Sequence, residues 1–392
     1  MTEEIFKRDA YVSEFEATVV SVSGQEIVLD STAFYPGGGG QEYDTGTMRG
    51  HKVVRTERKG PDIVHIVPGS DLKNGDKVWC SVDWSRRYDL MKGHTAEHLL
   101  FGALKRSCPE LGIVKIFITE ETKCVTVDRD LDWETIRKAV ASVNQTIKEN
   151  RTVSKNVMSK DDPGLKDIRM DMEKIKGSEI TVVEIGDVDS AACSGTHVME
   201  TEEIGAILVH EKVSAGKDGF TIHFKIGWDA IDRAAELANN DIRISEILGS
   251  TPGDSVKAAM NLKEQADSSR KAVNTVLSRT LRELRGEDVN GVTVYGGSFP
   301  AADKKTFVDA SDRFRASGGV SVLVSSGSSV SIFVASGSER VVSNVILKRT
   351  LDRYGGRGGG TKEFAQGGIP NADDAENALN DLVSDVKQAL TN

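Results

Sequence analysis

Two short stretches far apart in the chain constrain its fold more than any other feature: HTAEHLL at residues 94–100 and CSGTHV at residues 193–198. Each sets two metal-capable side chains four positions apart, His94 with His98 and Cys193 with His197. On a helix, residues i and i+4 lie one above the other, so His94 and His98 project from one face and can grip one ion together. Cys193 and His197 can complete a tetrahedral shell of three nitrogens and one sulfur, which suits zinc, Zn2+. His98 and Cys193 stand 95 positions apart, so the site must form between folded elements rather than inside a zinc finger. A closed zinc site could merely staple the helix to the later strand. HTAEH also fits H-x-x-E-H, the inverted zinc-peptidase signature, with Glu97 as general base. That reading needs a downstream glutamate as third ligand, whereas the downstream partners here are Cys193 and His197.

The remaining sequence says what surrounds these pairs. A chain of 392 residues exceeds one hydrophobic core, so several domains are expected. Short alternating runs from Ala17 to about Trp84, broken by Gly, Asn-Gly and Pro-Gly, predict a small antiparallel β-barrel over residues 1–88. Inside it lies STAFYPGGGGQ, with four consecutive glycines, Gly37 to Gly40, suited to backbone that residues with a Cβ resist, or to nothing more than a tight turn. A helix is predicted from an N-cap at Ser85 to about Ser107, then strands at VKIFITE and KCVTVDR and an amphipathic helix from about Asp132 to Glu149. The strand TVVEIG leads to CSGTHV, and two more strands follow, giving an α+β region over 89–232. Residues 233–288 read as a helical connector with a break at Thr251 and Pro252. Its stripe of Val256, Met260, Val273, Leu277 and Leu281 can pack internally or against a second subunit. Residues 289–392 read as a small α/β domain, so the whole is α+β with an α/β end.

Composition narrows the class. Nothing approaches the ~20 apolar residues needed to cross a bilayer, and MTEEIFKRDA lacks a signal peptide's apolar core. Cys80, Cys108 and Cys124 read as small core residues, and no disulfide framework is expected. A cytoplasmic location follows as an expectation. The formal charge of −10 disfavours indiscriminate nucleic-acid binding, so any RNA contact must be local. One basic island exists: between residues 337 and 362, Arg340, Lys348, Arg349, Arg353, Arg357 and Lys362 face only Glu339 and Asp352.

Taken together, STAFYPGGGGQ, HTAEHLL and CSGTHV resemble the editing module of alanyl-tRNA synthetase and its free-standing relatives, the AlaX proteins. GGRGGGTKEFAQGG at residues 355–368 resembles the glycine-rich signature of the same synthetase's C-terminal domain, so the arrangement is that of a long AlaX protein. The chain departs from the usual C-G-G-T-H by Ser194. With the barrel at the very start, an ATP-using ligase is not expected. The resemblance implies a zinc-dependent deacylase that hydrolyses alanine-specific tRNA mischarged with serine, leaving glycine as an open second substrate. A pocket shaped for alanine rejects an analogue with one extra hydroxyl only about a hundredfold, which is the physical reason for a second hydrolytic site. By resemblance, His94, His98, Cys193 and His197 form the metal site, with His197 either a direct ligand or an orienter of water. Thr32 would hydrogen-bond the serine hydroxyl, and Gln41 would position substrate or water. The metal would either activate water or hold substrate. Lys348, Arg349, Arg353, Arg357 and Lys362 are the candidate tRNA contacts, with homodimerisation through the C-terminal region expected by analogy. The competing readings are the zinc peptidase and a non-catalytic tRNA-binding protein with a structural zinc.

Overall fold

The computed structural model describes residues 2–170 and 178–392. The chain divides into two compact units, Met1–Asp241 and Ile242–Asn392.

The first unit opens on a seven-stranded antiparallel sheet that is nearly closed. The ten-residue strand Glu14–Ser23 makes the closure work. Its first half pairs with Lys77–Val82 and its second with Glu26–Leu29, and the register shifts between Val19 and Ser21 where the strand bends. One irregularity therefore lets a single strand serve both halves of a curled sheet. The alternation seen in the sequence becomes an inner face of Phe15, Ala17, Val19, Ile27, Leu29, Met48, Val78 and Cys80. Burying such side chains stabilises by about 1.5–3 kcal/mol each.

The helix that follows, Trp84–Ser107, is capped by Asp83, whose carboxylate accepts from the Arg86 amide at 3.3 Å. The cap therefore lies two residues before the expected Ser85, because Asp83 already has the extended backbone a cap requires. Arg87 welds this helix to the barrel. It is fully buried, donates through Nε to both Asp44 carboxylate oxygens at 3.0 and 2.9 Å, and reaches the Ala10 carbonyl at 2.8 Å. A buried guanidinium is tolerable only with its donors satisfied in this way. From Gly93 to Leu104 every residue of the helix is buried, including four polar ones, His94, Thr95, Glu97 and His98. So much polarity inside a core demands partners, and that demand defines the site.

The helix packs on a four-stranded antiparallel sheet ordered Ile113–Ile118, Lys123–Val127, Phe220–Ile226 and Ile207–Ser214. The amphipathic helix Trp133–Glu149, capped by Asp132 through the Thr135 amide at 2.7 Å, lies beside it. A second sheet of Val153–Ser159, Glu179–Ile185 and Asp189–Ala192 delivers the chain to Cys193.

The second unit is a three-layer arrangement. Six strands, ordered Glu287–Val289, Val292–Pro300, Val320–Ser326, Val330–Ser336, Phe364–Ile369 and Arg357–Gly360, form one mixed sheet. Helices Ser343–Arg353 and Ala375–Thr391 cover one face through Ile346, Leu347, Leu382 and Val386. Helix Lys304–Ala316 and the end of helix Ser255–Glu283 cover the other, through Phe307, Phe314, Leu277 and Leu281. The expected apolar stripe thus divides: Leu277 and Leu281 are core, whereas Val256 and Met260 are 73% and 67% exposed. No helix among the described residues is long and apolar enough to cross a membrane.

Candidate metal centre

His94, His98, Cys193 and His197 each offer one ligand atom, and these atoms all lie within 4.8 Å of one another. Cys193 Sγ is 3.5 Å from His94 Nε2 and 3.4 Å from His197 Nε2. The histidine helix contributes the first pair, and the turn after strand Asp189–Ala192 contributes the second. The donors are those zinc favours, three imidazoles and a thiol.

The hydrogen bonds on the far side of each ring show which nitrogen faces inward. His94 Nδ1 lies 2.8 Å from the Gln41 amide oxygen, which also accepts from the Thr196 amide at 3.0 Å. His98 Nδ1 lies 3.3 Å from the Asp189 carboxylate. His197 Nδ1 lies 3.2 Å from the Thr95 hydroxyl, whose proton goes to the Met91 carbonyl at 2.9 Å, leaving the oxygen to accept from the ring. All three rings therefore donate from Nδ1 and turn Nε2 toward the thiol, as metal-binding histidines do. His197 is part of the cluster on the same terms as the other two.

Charge at the site is set by the same contacts. Burial alone would push the Cys193 thiol up, but His94 and His197 beside it hold it well below its ordinary value. Burial also works against a charge on His98, yet Asp189 and Cys193 hold it up to about 10. Burial, followed by the neighbouring His94, pushes His197 down to about 3. A cysteine held low in this way suits a metal site, since a cation would be held by the thiolate and by neutral imidazoles. Asp189 is anchored in turn by Arg169 Nη2 at 2.9 Å, and that guanidinium lies over the Phe101 ring, 4.9 Å from its centroid.

Two glycines make the close packing available. A Cβ on Gly195 would collide with the His94 ring and the Gln41 oxygen. Ser194, by contrast, is exposed, so the departure from C-G-G-T-H falls where a side chain costs nothing. Gly102, one turn beyond His98, leaves the slot that Asp189 occupies. The run Gly37 to Gly40 has φ of +76°, +144°, +58° and +91°, a left-handed backbone that admits Gly40 against Ile116 and delivers Gln41 to His94.

The other candidates make different contacts. Thr32 is fully buried, and its hydroxyl contacts His65 Nε2 at 2.9 Å and accepts from the Phe34 amide at 3.1 Å. His65 Nδ1 donates to the Ile27 carbonyl at 3.1 Å, so Nε2 accepts and Thr32 must donate to it. Glu97 is fully buried, with no hydrogen-bond partner at either oxygen among the described residues. Burial pushes its carboxyl up. In the second unit Lys348, Arg349, Arg353, Arg357 and Lys362 are exposed. Arg353 is paired with Asp381. Arg357 begins the glycine strand and lines a cavity of about 620 Å³ with Lys304 and Gln366. Thr95, Thr196, Asp189 and Arg169 were not singled out from the sequence; Thr95, inside HTAEH, and Asp189, four residues before Cys193, had only their proximity as a signal.

Comparison with known proteins accords with this layout. Residues 4–86 match the family model for tRNA synthetases class II (A), residues 180–218 the threonyl and alanyl tRNA synthetase second additional domain, and residues 291–392 the DHHA1 domain. The chain is 28% identical over 387 residues to the alanyl-tRNA editing protein AlaX-L of Pyrococcus horikoshii, covering 94% of this chain and 95% of that protein. It is 30% identical over 419 residues to the alanine–tRNA ligase of Aeropyrum pernix, covering 98% of this chain but only 46% of the ligase. The C-Ala domain of Aquifex aeolicus alanyl-tRNA synthetase is 21% identical, covers 28% of this chain and 100% of that domain, and superposes with a TM-score of 0.25. On three successive modules and a match running nearly end to end, the chain resembles an AlaX-type alanyl-tRNA editing protein of the long form, similar to the editing and C-terminal portions of alanyl-tRNA synthetase.

Proposed function

We propose that this protein is a zinc-dependent trans-editing deacylase that hydrolyses the ester of seryl-tRNA(Ala), with glycyl-tRNA(Ala) left open as a second substrate. The observation that carries the reading is the convergence of three imidazoles and one cysteine sulfur, with all three rings held from behind. Bound there, zinc would supply Lewis acidity toward a water or an ester oxygen. His94, His98, Cys193 and His197 would hold it. Gln41 orients His94 and the Thr196 segment. Thr32 has one oxygen lone pair left after its contacts with His65 and Phe34, through which it would accept from a serine hydroxyl. The C-terminal residues Lys348, Arg349, Arg353, Arg357 and Lys362 would meet tRNA phosphates, which position an RNA without reading its sequence. Dimerisation through the C-terminal region and a cytoplasmic location complete the proposal, as does a division into barrel (1–88), editing domain (89–232), connector (233–288) and tRNA-binding domain (289–392).

A second reading has one observation in its favour. Four protein ligands make a closed shell of the sort structural zinc has, whereas catalytic zinc usually keeps a position open. Deacylation of seryl-, glycyl- and correctly charged alanyl-tRNA(Ala) by the zinc-loaded chain separates the two. The deacylase reading expects release of serine, sparing of alanine, and loss of turnover in Cys193→Ala. Binding of tRNA without hydrolysis would favour the structural role.

A further inference from the structure

One buried histidine of the barrel has no part in the metal cluster. His65 lies on strand Asp62–Ile66, pairs across the sheet with Ile27, and is fully buried. Its ring stands edge-on to Phe34, with centroids 5.4 Å apart and planes at 71°. Nδ1 meets the Ile27 carbonyl at 3.1 Å, and Nε2 meets the Thr32 hydroxyl at 2.9 Å. Burial pushes the ring down to about 4, so at neutral pH it carries a single proton. The Ile27 carbonyl can only accept, and it therefore takes that proton from Nδ1 and leaves Nε2 bare.

The consequence falls on Thr32. A hydroxyl has one proton and two lone pairs. Here the proton goes to His65 Nε2, and one lone pair receives the Phe34 amide at 3.1 Å. The capacity that remains can accept a hydrogen bond and cannot donate one. Without His65 the same hydroxyl could turn its proton toward a ligand and serve in either sense. An apolar pair of the same shape would fill this space at little cost, so the polar pair has its use where the last lone pair meets a donor.

We infer that His65 is a positioning residue that sets specificity: by taking the Thr32 proton it makes that hydroxyl a one-way acceptor, matched to the hydroxyl of a seryl group and unmatched to the methyl of an alanyl group. The inference rests on the deacylase reading only for the placement of the seryl side chain against Thr32. A methyl group in that place leaves the lone pair buried without a donor, which is the condition that makes rejection of a close analogue steep. His65 acts through Thr32.

The test is calorimetric titration of the zinc-loaded full chain with two adenosines that carry serine or alanine through a 3′-amide, a bond that resists hydrolysis. The seryl compound is expected to bind about tenfold more tightly than the alanyl one, the worth of one hydrogen bond. His65→Asn keeps an amide donor for the Ile27 carbonyl but falls short of Thr32, and it should abolish the preference. His65→Gln sets an amide oxygen where Nε2 stood and should retain most of it. In a Thr32→Val background His65→Asn should change the preference no further, a coupling that a loosened barrel would not produce. Nitrogen NMR of the native chain at neutral pH should show His65 protonated at Nδ1 and bare at Nε2, a readout that needs no variant. Equal affinity for the two compounds, a preference that survives His65→Asn, independent effects of the two substitutions, or a proton on Nε2 would overturn the inference. A chain that releases serine from tRNA yet shows no effect of His65 on the preference loses only this inference. A chain with the His65-dependent preference but no hydrolysis loses the deacylase reading instead.

Discussion

Replacing Asp189 by alanine should cost about a hundredfold in zinc affinity, and the structure says why the loss belongs at the upper end of its class. Outer partners of metal-bound histidines are typically worth about 10–100-fold, or about 1.4–2.7 kcal/mol. Gln41 and Thr95 are neutral acceptors for His94 and His197, while Asp189 offers His98 a carboxylate, and charge-assisted hydrogen bonds are roughly twice as strong. Arg169 and His98 keep that carboxylate charged: burial would raise it, but these neighbours hold it below the ordinary carboxylate range. Competition with a zinc chelator reads the affinity directly. A destabilised fold could mimic the effect, so a second substitution separates the two. A Cβ at Gly102 would lie 2.8 Å from Asp189 Oδ1 and push the carboxylate off His98. Gly102→Ala should therefore weaken zinc binding about tenfold in the native chain and hardly at all in the Asp189→Ala background. Asp189→Ala binding zinc within about twofold of the native chain, or Gly102→Ala costing the same in both backgrounds, would refute the reasoning.

Three further outcomes are expected. Gly195→Ala, whose methyl would enter the His94 ring, should lose zinc binding, whereas Ser194→Gly at its exposed neighbour should not; metal content after gel filtration distinguishes them. His65 is pushed down to about 4 by burial, so between about pH 4 and 6.5 the unfolded chain binds the proton and the folded chain does not. Its contribution is then fully present above about pH 6.5 and is lost as pH falls toward 4, to a total of about 3 kcal/mol. Urea titrations of native and His65→Gln protein across that range should show the native chain losing more stability. Thr32→Val should selectively depress hydrolysis of the serine ester relative to the glycine ester, and unchanged serine release would remove Thr32 from the site.

The parts of this molecule that were legible beforehand are those written in local spacing. The i, i+4 histidines lie on one helical face because helical geometry puts them there, and the alternating N-terminal runs became a curled antiparallel sheet. The glycine run could be read as unusual backbone, though its delivery of Gln41 to the back of His94, 53 residues away, could not. Thr95 and Asp189 gave only proximity to the motifs as a signal because their partners are distant in sequence: Thr95 meets His197 across 102 residues and Asp189 meets His98 across 91. Thr32 illustrates the reverse difficulty, since its position in the glycine-rich stretch says nothing of the His65 ring that takes its proton. The connector's stripe split for a similar reason. Periodicity marks an apolar face, but which part of it finds Phe307 and Phe314 depends on where the next domain begins.

The most direct test is X-ray absorption at the zinc edge of the loaded protein. One sulfur at about 2.3 Å and three imidazole nitrogens at about 2.0–2.1 Å are expected, with the sulfur lost in Cys193→Ala. A spectrum without sulfur, or one unchanged when His94, His98 or His197 is replaced, would contradict the claim that these four side chains share one ion.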